Sequence, residues 1–262
     1  MATATAGAAM PVYVPSSGRY NDWKGTLSHL PIGGGMYLVV QDKEAYWYEP
    51  MAEAREIEML VLPKGIDRIA PTRKWIAEHA AAGGYAKHLQ LDDDLYFYER
   101  IFDSTKMQVA TEEQVFHMLM AISVDLDQYA HVGVSDRNDN NREPNPWRLN
   151  TRYMRVLGYQ TEEYLRCEHG RVDVMEDFDI ALQLLERGFA SKVHFWWATV
   201  QRKTNAPGGC SKWRTLDVHK AGARELAELH SNVVRLRQKN DAGAFGKRQE
   251  VTIQWKQAFD AA

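Results

Sequence analysis

The 262-residue chain is 45% hydrophobic and 26% charged, an ordinary balance for a globular protein of one large domain or two small ones. Its 32 Lys and Arg against 35 Asp and Glu give a formal net charge of −3, which excludes coating nucleic acid by bulk charge and leaves room for a local basic face. Two cysteines, Cys167 and Cys210, are too few for a disulfide framework or a cysteine zinc site, so a reducing, cytoplasmic setting is expected.

Residues 1–10 form an Ala/Thr tail, expected to be disordered, without the Lys or Arg of a signal peptide. No apolar run has the length of a membrane span, so no membrane partner is expected. Residues 11–15 read as a first strand. Ser16, Ser17, Gly18 and Arg19 follow as a loop of small residues that lets a ligand approach, with Ser and Arg able to hold phosphate. Residues 36–40 and 57–62 are second and third strands; the glycines before the second lack dinucleotide-binding spacing. Pro71 marks a helix start, residues 72–82 continue it, and Gly83-Gly84 ends it. Arg73, in the first turn, gains nothing from the helix dipole, which suggests an anionic partner.

Residues 87–91 alternate apolar side chains and then meet Asp92, Asp93 and Asp94. Aspartate is a poor strand former, so a buried strand ends at Leu91 with three carboxylates at its mouth. Such a cluster is a solvated turn or a site for a hard divalent ion, Mg²⁺ or Mn²⁺, held together with phosphates. Thr111 and Gln114 form a capping box, followed by a buried helical stripe through Leu126. Residues 131–135 are another strand, and 136–147 a polar loop suited to substrate binding. Residues 151–157 read as a strand carrying Arg152 and Arg155. Asp173 can cap the next helix, with Glu176 and Asp177 in its first turn and Gly188 at its stop.

Between residues 187 and 220 seven Lys and Arg stand against one acid. Phe189, Phe195, Trp196, Trp197 and Trp213 lie among them, a pattern that suits a groove tracking phosphates and stacking bases. Residues 207–211 make a glycine turn, 221–238 an amphipathic helix, and 251–259 a last strand or appendage.

Strands alternate with helical segments through the first half, which predicts an α/β sandwich with a mostly parallel sheet. Ligands of such sheets bind beyond the C-terminal strand ends. A phosphate-holding first loop, a carboxylate cluster for a metal and a later acid pair at one mouth suit displacement of a nucleoside diphosphate.

Four stretches, in order, resemble the TET-associated glycosyltransferases of phages and bacteria: Pro11-Val-Tyr-Val-Pro-Ser-Ser-Gly-Arg19, Leu91-Asp-Asp-Asp94, Met175-Glu-Asp-Phe-Asp179 and Pro207-Gly-Gly-Cys-Ser211. The resemblance spans residues 11 to 220 or so. It implies a GT-A (Rossmann-like) α/β/α fold: a donor half over residues 11–110, an acceptor half over 111–240 and a C-terminal appendage over 241–262. It implies a UDP-sugar donor, a divalent cation, and 5-hydroxymethylcytosine or a related hydroxymethylpyrimidine in DNA as acceptor. A phage-encoded enzyme of this kind would act in the host cytoplasm.

Carried over by position, Asp92 and Asp94 take the outer places of a DxD motif on ribose and metal, with Asp93 able to replace either. Ser16, Ser17, Arg19 and Arg73 hold the nucleotide, and Asp177 or Glu176 is the base. His219 is the expected third metal ligand, with His194 second. Trp196, Arg202, Lys203, Gly208, Gly209, Lys212, Trp213 and Arg214 border the acceptor. A glycosyltransferase for a small-molecule or protein hydroxyl would keep the donor site and lack a continuous basic face. A non-catalytic DNA-binding module would not need the two acidic clusters.

Overall fold

The computed structural model describes residues 10–22, 24–31, 35–140, 143–201, 208–240 and 246–262. Most of the expected tail, Arg202 and Lys203 lie outside these residues. In chain order the elements are β1 (Val12–Ser16), β2 (Met36–Gln41), α1 (Ala45–Ala54), β3 (Glu58–Leu62), α2 (Ile69–Ala82), β4 (Lys87–Leu91), β5 (Leu95–Arg100) and β6 (Met107–Val109). Then come α3 (Glu112–Asp125), β7 (His131–Asp136), α4 (Arg137–Asn140), β8 (Trp147–Leu149), β9 (Val156–Gln160), α5 (Thr161–Leu165), α6 (Glu176–Glu186) and β10 (Ser191–Gln201). The chain closes with α7 (Leu216–Leu229), β11 (Val234–Asn240), β12 (Lys247–Ile253) and α8 (Trp255–Asp260).

The central sheet runs β3-β2-β1-β4-β9-β7-β10-β5-β6, with β8 added on β10. β1, β2, β3, β4, β6, β7 and β10 share one direction; β5, β8 and β9 oppose it. The sheet is therefore mostly parallel, as the alternating pattern predicts. Strand alternation sorts the side chains into two layers. Val12, Val14, Leu38, Val40, Leu89 and Leu91 face α1 and α3, meeting Tyr48, Met51, Met118 and Ile122. Tyr13, Val39 and Leu62 face the other way, onto Ile76 and Ala80 of α2. Farther along that face, Leu157, Tyr159 and Val193 pack on Ile180, Ala181 and Leu184 of α6.

The capping box at Thr111 and Gln114 is formed, and Gly188 ends α6 with φ +84°. Four expected boundaries shift. The strand expected at 151–157 starts at Val156, because Arg155 takes a left-handed φ of +70° and breaks the extended run. α2 begins at Ile69 rather than Pro71, so Arg73 stands beyond the first turn. The helix expected at 221–238 spans Leu216–Leu229 instead. The Thr215 side chain caps its start, and His230, gripped by Asp179 (2.9 Å) and Glu186 (2.8 Å), marks its end. Residues 234–240 and 247–253 then pair as an antiparallel hairpin, β11–β12, and residues 255–260 form a helix. The hairpin docks through Val234 and Val251 on Phe178, Leu182 and Leu185 of α6 and Ala223 and Leu226 of α7. No described helix is long and apolar enough to cross a membrane.

Candidate active site

β1 and β4 are neighbours, so their C-terminal ends bring Ser16 and the Asp92–Asp94 turn side by side. The turn is fastened through its backbone. The Asp92 N–H donates to the Arg155 carbonyl (3.0 Å), and the Thr26 N–H donates to the Asp93 carbonyl (2.9 Å). The Thr26 hydroxyl donates to the Asp92 carbonyl and accepts the Leu95 N–H (2.9 Å). A Cβ at Gly25 would sit 2.3 Å from the Asp93 carbonyl oxygen, so only glycine allows this approach.

Two arginines share the three carboxylates. Arg19 pairs with Asp93 and, at 3.1 Å, with Asp94; the Ser16 hydroxyl donates to Asp93 (2.5 Å). Burial pushes the Asp93 carboxyl up to about 7 against the pull of Arg19 and Ser16. Burial, with Asp92 beside it, also raises Asp94. Asp94 is only 1% exposed, and its Oδ1 has no hydrogen-bond partner among the described residues. The first loop is itself braced. The Arg19 N–H donates to the Tyr48 hydroxyl (2.9 Å), the Gly18 N–H to Glu44 (2.7 Å), and the Gly209 N–H to the Ser17 carbonyl (2.7 Å). α1 and the glycine turn thus clamp it from two sides.

The acid pair comes from the start of α6. Its N-cap is Met175 in the left-handed region, φ +66°, and not Asp173, which pairs with Arg68 at 2.6 Å. That turn aims Glu176 and Asp177 at the acidic turn. Arg73 bridges the two groups, 2.9 Å from Asp92 and 2.8 Å from Glu176, while only 5% exposed. Burial pushes Glu176 up to about 7, with Arg73 opposing and Asp177 adding to the rise. Burial likewise raises Asp177, whose Oδ1 accepts the Phe178 N–H (3.0 Å). The two acids therefore stand closer to neutral pH than ordinary carboxylates, the range a proton acceptor needs.

One cleft of about 710 Å³ joins these parts. Ser16, Ser17, Arg19, Arg73, the three aspartates, Glu176, Asp177, Gly209, Trp213, Arg214 and His219 all line it. Gly208 sits behind it, against Arg19. Trp196 is not brought in: its indole N–H donates to Glu99 on β5 (3.1 Å). His194 is also elsewhere, 2.8 Å from Asp125. His219 lies 3.3 Å from Glu250, and no three acidic, His or Cys side chains converge on one point among the described residues. The side chain of Lys212, like Arg202 and Lys203, falls outside what the structure describes. The sequence offered no signal for Tyr48 or Glu44, nor for Arg68 stacked 5.2 Å over the Trp213 ring. Arg237, Lys239 and Arg248, which also line the cleft, were hidden within a stretch that reads as helix or tail.

A family model described as TET-Associated Glycosyltransferase matches residues 10–209. Two proteins described as beta-glucosyl-HMC-alpha-glucosyl-transferase, from Enterobacteria phages T6 and T2, are each 25% identical over 217 residues, covering 76% of this chain and 74% of theirs. The solved structure of glucosyl-3-phosphoglycerate synthase from Mycobacterium tuberculosis, in complex with Mg²⁺ and uridine diphosphate, superposes with a TM-score of 0.50 at 11% identity. It covers 94% of this chain and 88% of that one, a likeness of fold: the GT-A arrangement of nucleotide-sugar transferases.

Proposed function

This chain belongs to the TET-associated glycosyltransferase family, and from that premise we propose that it moves a sugar from a UDP-sugar to the hydroxymethyl group of 5-hydroxymethylcytosine, or a related hydroxymethylpyrimidine, in DNA. The observation that carries this reading is the shared cleft, in which Arg73 ties the acidic turn to the acid pair. A nucleotide-sugar donor lies against the first, and an acceptor hydroxyl meets the second.

Ser16, Ser17, Arg19 and Arg73 hold the nucleotide and its diphosphate. Asp92 and Asp94 offer hard oxygens suited to Mg²⁺ or Mn²⁺, and the unpartnered, buried Asp94 Oδ1 fits a ligand to such an ion. When bound, the cation offsets charge on the leaving diphosphate. Two carboxylates plus donor phosphates meet the needs of such an ion without His219. The acceptor oxygen forms its bond to the anomeric carbon. The bond from that carbon to the diphosphate breaks, its electron pair leaving with UDP. Asp177 takes the hydroxyl proton, while Glu176 stays anchored on Arg73 and sets the reach of the pair. A base in duplex DNA must leave the stack to present its hydroxymethyl group, and Trp213 with Arg214 stands at the cleft wall to receive it. If the chain is phage-encoded, a DNA acceptor places this work in the host cytoplasm.

A second acceptor is favoured by the phage relatives, whose description names a glucosylated hydroxymethylcytosine. The test incubates the full chain with Mn²⁺, each UDP-sugar in turn, and DNA carrying either 5-hydroxymethylcytosine or its glucosylated form. Nucleoside mass spectrometry then shows a one-hexose or N-acetylhexosamine gain on one of them. No gain with any donor, alongside intact UDP binding, would point to an acceptor other than modified DNA.

A further inference from the structure

The β11–β12 hairpin lies beyond residue 209, where the family match ends. Its register places Arg235 opposite Thr252, Arg237 opposite Glu250 and Lys239 opposite Arg248. Directly opposed residues share a face, so four cations and one acid stand on one side of the ribbon. The other side carries Val234 and Val251 into the core. Arg235, Arg237 and Lys239 are exposed at alternate positions, about 7 Å apart by strand geometry. Arg237, Lys239, Arg248, Glu250 and Thr252 line the cleft.

Glu250 offsets only part of this face. Its carboxylate pairs with Arg248 (2.6 Å) and His219 (3.3 Å). One acid thus stands against four cations on this side of the ribbon. The hairpin rests on the face of α6 that carries Phe178 and Leu182, whereas Arg73 holds Glu176 to the donor wall. The hairpin thus packs on the helix that starts with the acid pair, and its cations border the same cleft as those acids. Cations repeated along an extended strand suit a run of successive nucleic-acid phosphates better than one compact diphosphate.

We propose that the cleft-facing side of the β11–β12 hairpin, through Arg237 and Lys239 with Arg235 beside them, is a rail for DNA backbone phosphates that positions the modified base over the acid pair. The proposal rests on DNA being the acceptor. It moves the electrostatic hold on DNA from the 187–220 stretch to a hairpin outside the family match. These contacts carry no base information, so the rail fixes register rather than sequence.

The test measures the affinity of the full chain for a duplex of unmodified cytosine across a salt series, for wild type, Arg237→Gln/Lys239→Gln, and Lys64→Gln/Lys106→Gln. The last pair removes the same charge from exposed positions outside the cleft. UDP affinity and thermal melting are read in parallel. The hairpin variant is expected to bind DNA more weakly and to lose about 2 from the slope of log K against log salt, about 1 for each phosphate contact removed. UDP affinity and melting should match wild type, and the control pair should keep the wild-type slope. An unchanged slope in the hairpin variant, an equal loss in the control pair, or a loss of UDP affinity without loss of DNA affinity overturns the rail. If wild type binds DNA yet transfers no sugar to it, the acceptor reading fails while the salt slopes still judge the rail.

Discussion

Replacing Arg73 by Gln should damage the fold and the site together, and do so most at high pH. The guanidinium is 5% exposed and makes two charge-assisted bonds, at 2.9 Å to Asp92 and 2.8 Å to Glu176. Removing one partner of a buried pair strands the others, at a cost of about 3–5 kcal/mol. Protonation relieves part of that cost. Glu176 already stands at about 7 through burial, above its ordinary value of 4.5, and loss of the opposing Arg73 raises it further. An acid whose folded pKa exceeds its unfolded one binds more protons when folded, so stability falls as pH rises through that window. In wild type the window closes near pH 7; in the variant it extends upward. Urea unfolding at pH 6 and pH 8.5 should therefore show a larger deficit for the variant at pH 8.5. Arg73→Lys, with a point charge that cannot fork between two carboxylates, should recover only part. A deficit below about 1 kcal/mol, or one equal at both pH values, would refute the bridge as an electrostatic element.

Three further outcomes are expected. Asp177→Asn should lower turnover by about 10²–10⁴-fold, the usual worth of a general base, while UDP titration shows unchanged affinity; retained turnover would remove Asp177 as the base. Gly208→Ala should cost about 1–3 kcal/mol and weaken UDP binding: Gly208 holds φ +96°, and a Cβ there would lie 2.6 Å from Cγ of Arg19, so unchanged melting and UDP affinity would contradict the clamp on the first loop. Burial pushes His88 down to about 3, where Thr161 (3.1 Å) and Gln90 (3.0 Å) hold a neutral ring; the unfolded chain takes up the proton near pH 6.5, so this stabilisation is full above 6.5 and smaller by about 2 kcal/mol at pH 5. Nitrogen-15 spectra should show His88 neutral at pH 5 with its proton on Nδ1, and an imidazolium signal there would contradict it.

The first half of the chain was legible because its signals are local. Residues 11–15, 36–40, 57–62 and 87–91 are short apolar runs closed by Ser, Asp or Pro, and all four lie in the sheet. Three adjacent aspartates could only end a strand, and β4 ends at Leu91. The shared mouth followed from adjacency of β1 and β4, a parallel-sheet property. The second half misled where two periodicities coincide. Leu226, Leu229, Val233 and Leu236 keep helical spacing, yet Val234 and Leu236 also alternate with Arg235 and Arg237, and the gripped His230 stops the helix between them. Asp173 suits a cap by type, but a left-handed Met175 and the ion pair to Arg68 override it. Trp196 has the type and setting of a cleft aromatic, but its place on β10 directs the indole to Glu99. The brace of Tyr48 and Glu44 under the first loop joins residues about thirty apart, with no local trace in the sequence.

The account's core is that the acidic turn and the α6 acids serve one bound nucleotide sugar. Crystals soaked with Mn²⁺ and UDP, with diffraction recorded at the manganese absorption edge, read this most directly. We expect one anomalous peak between the Asp92 and Asp94 carboxylates and the diphosphate, with uridine against Ser16–Arg19 and the open side of the diphosphate facing Asp177. UDP bound elsewhere, or a peak away from that turn, would contradict it.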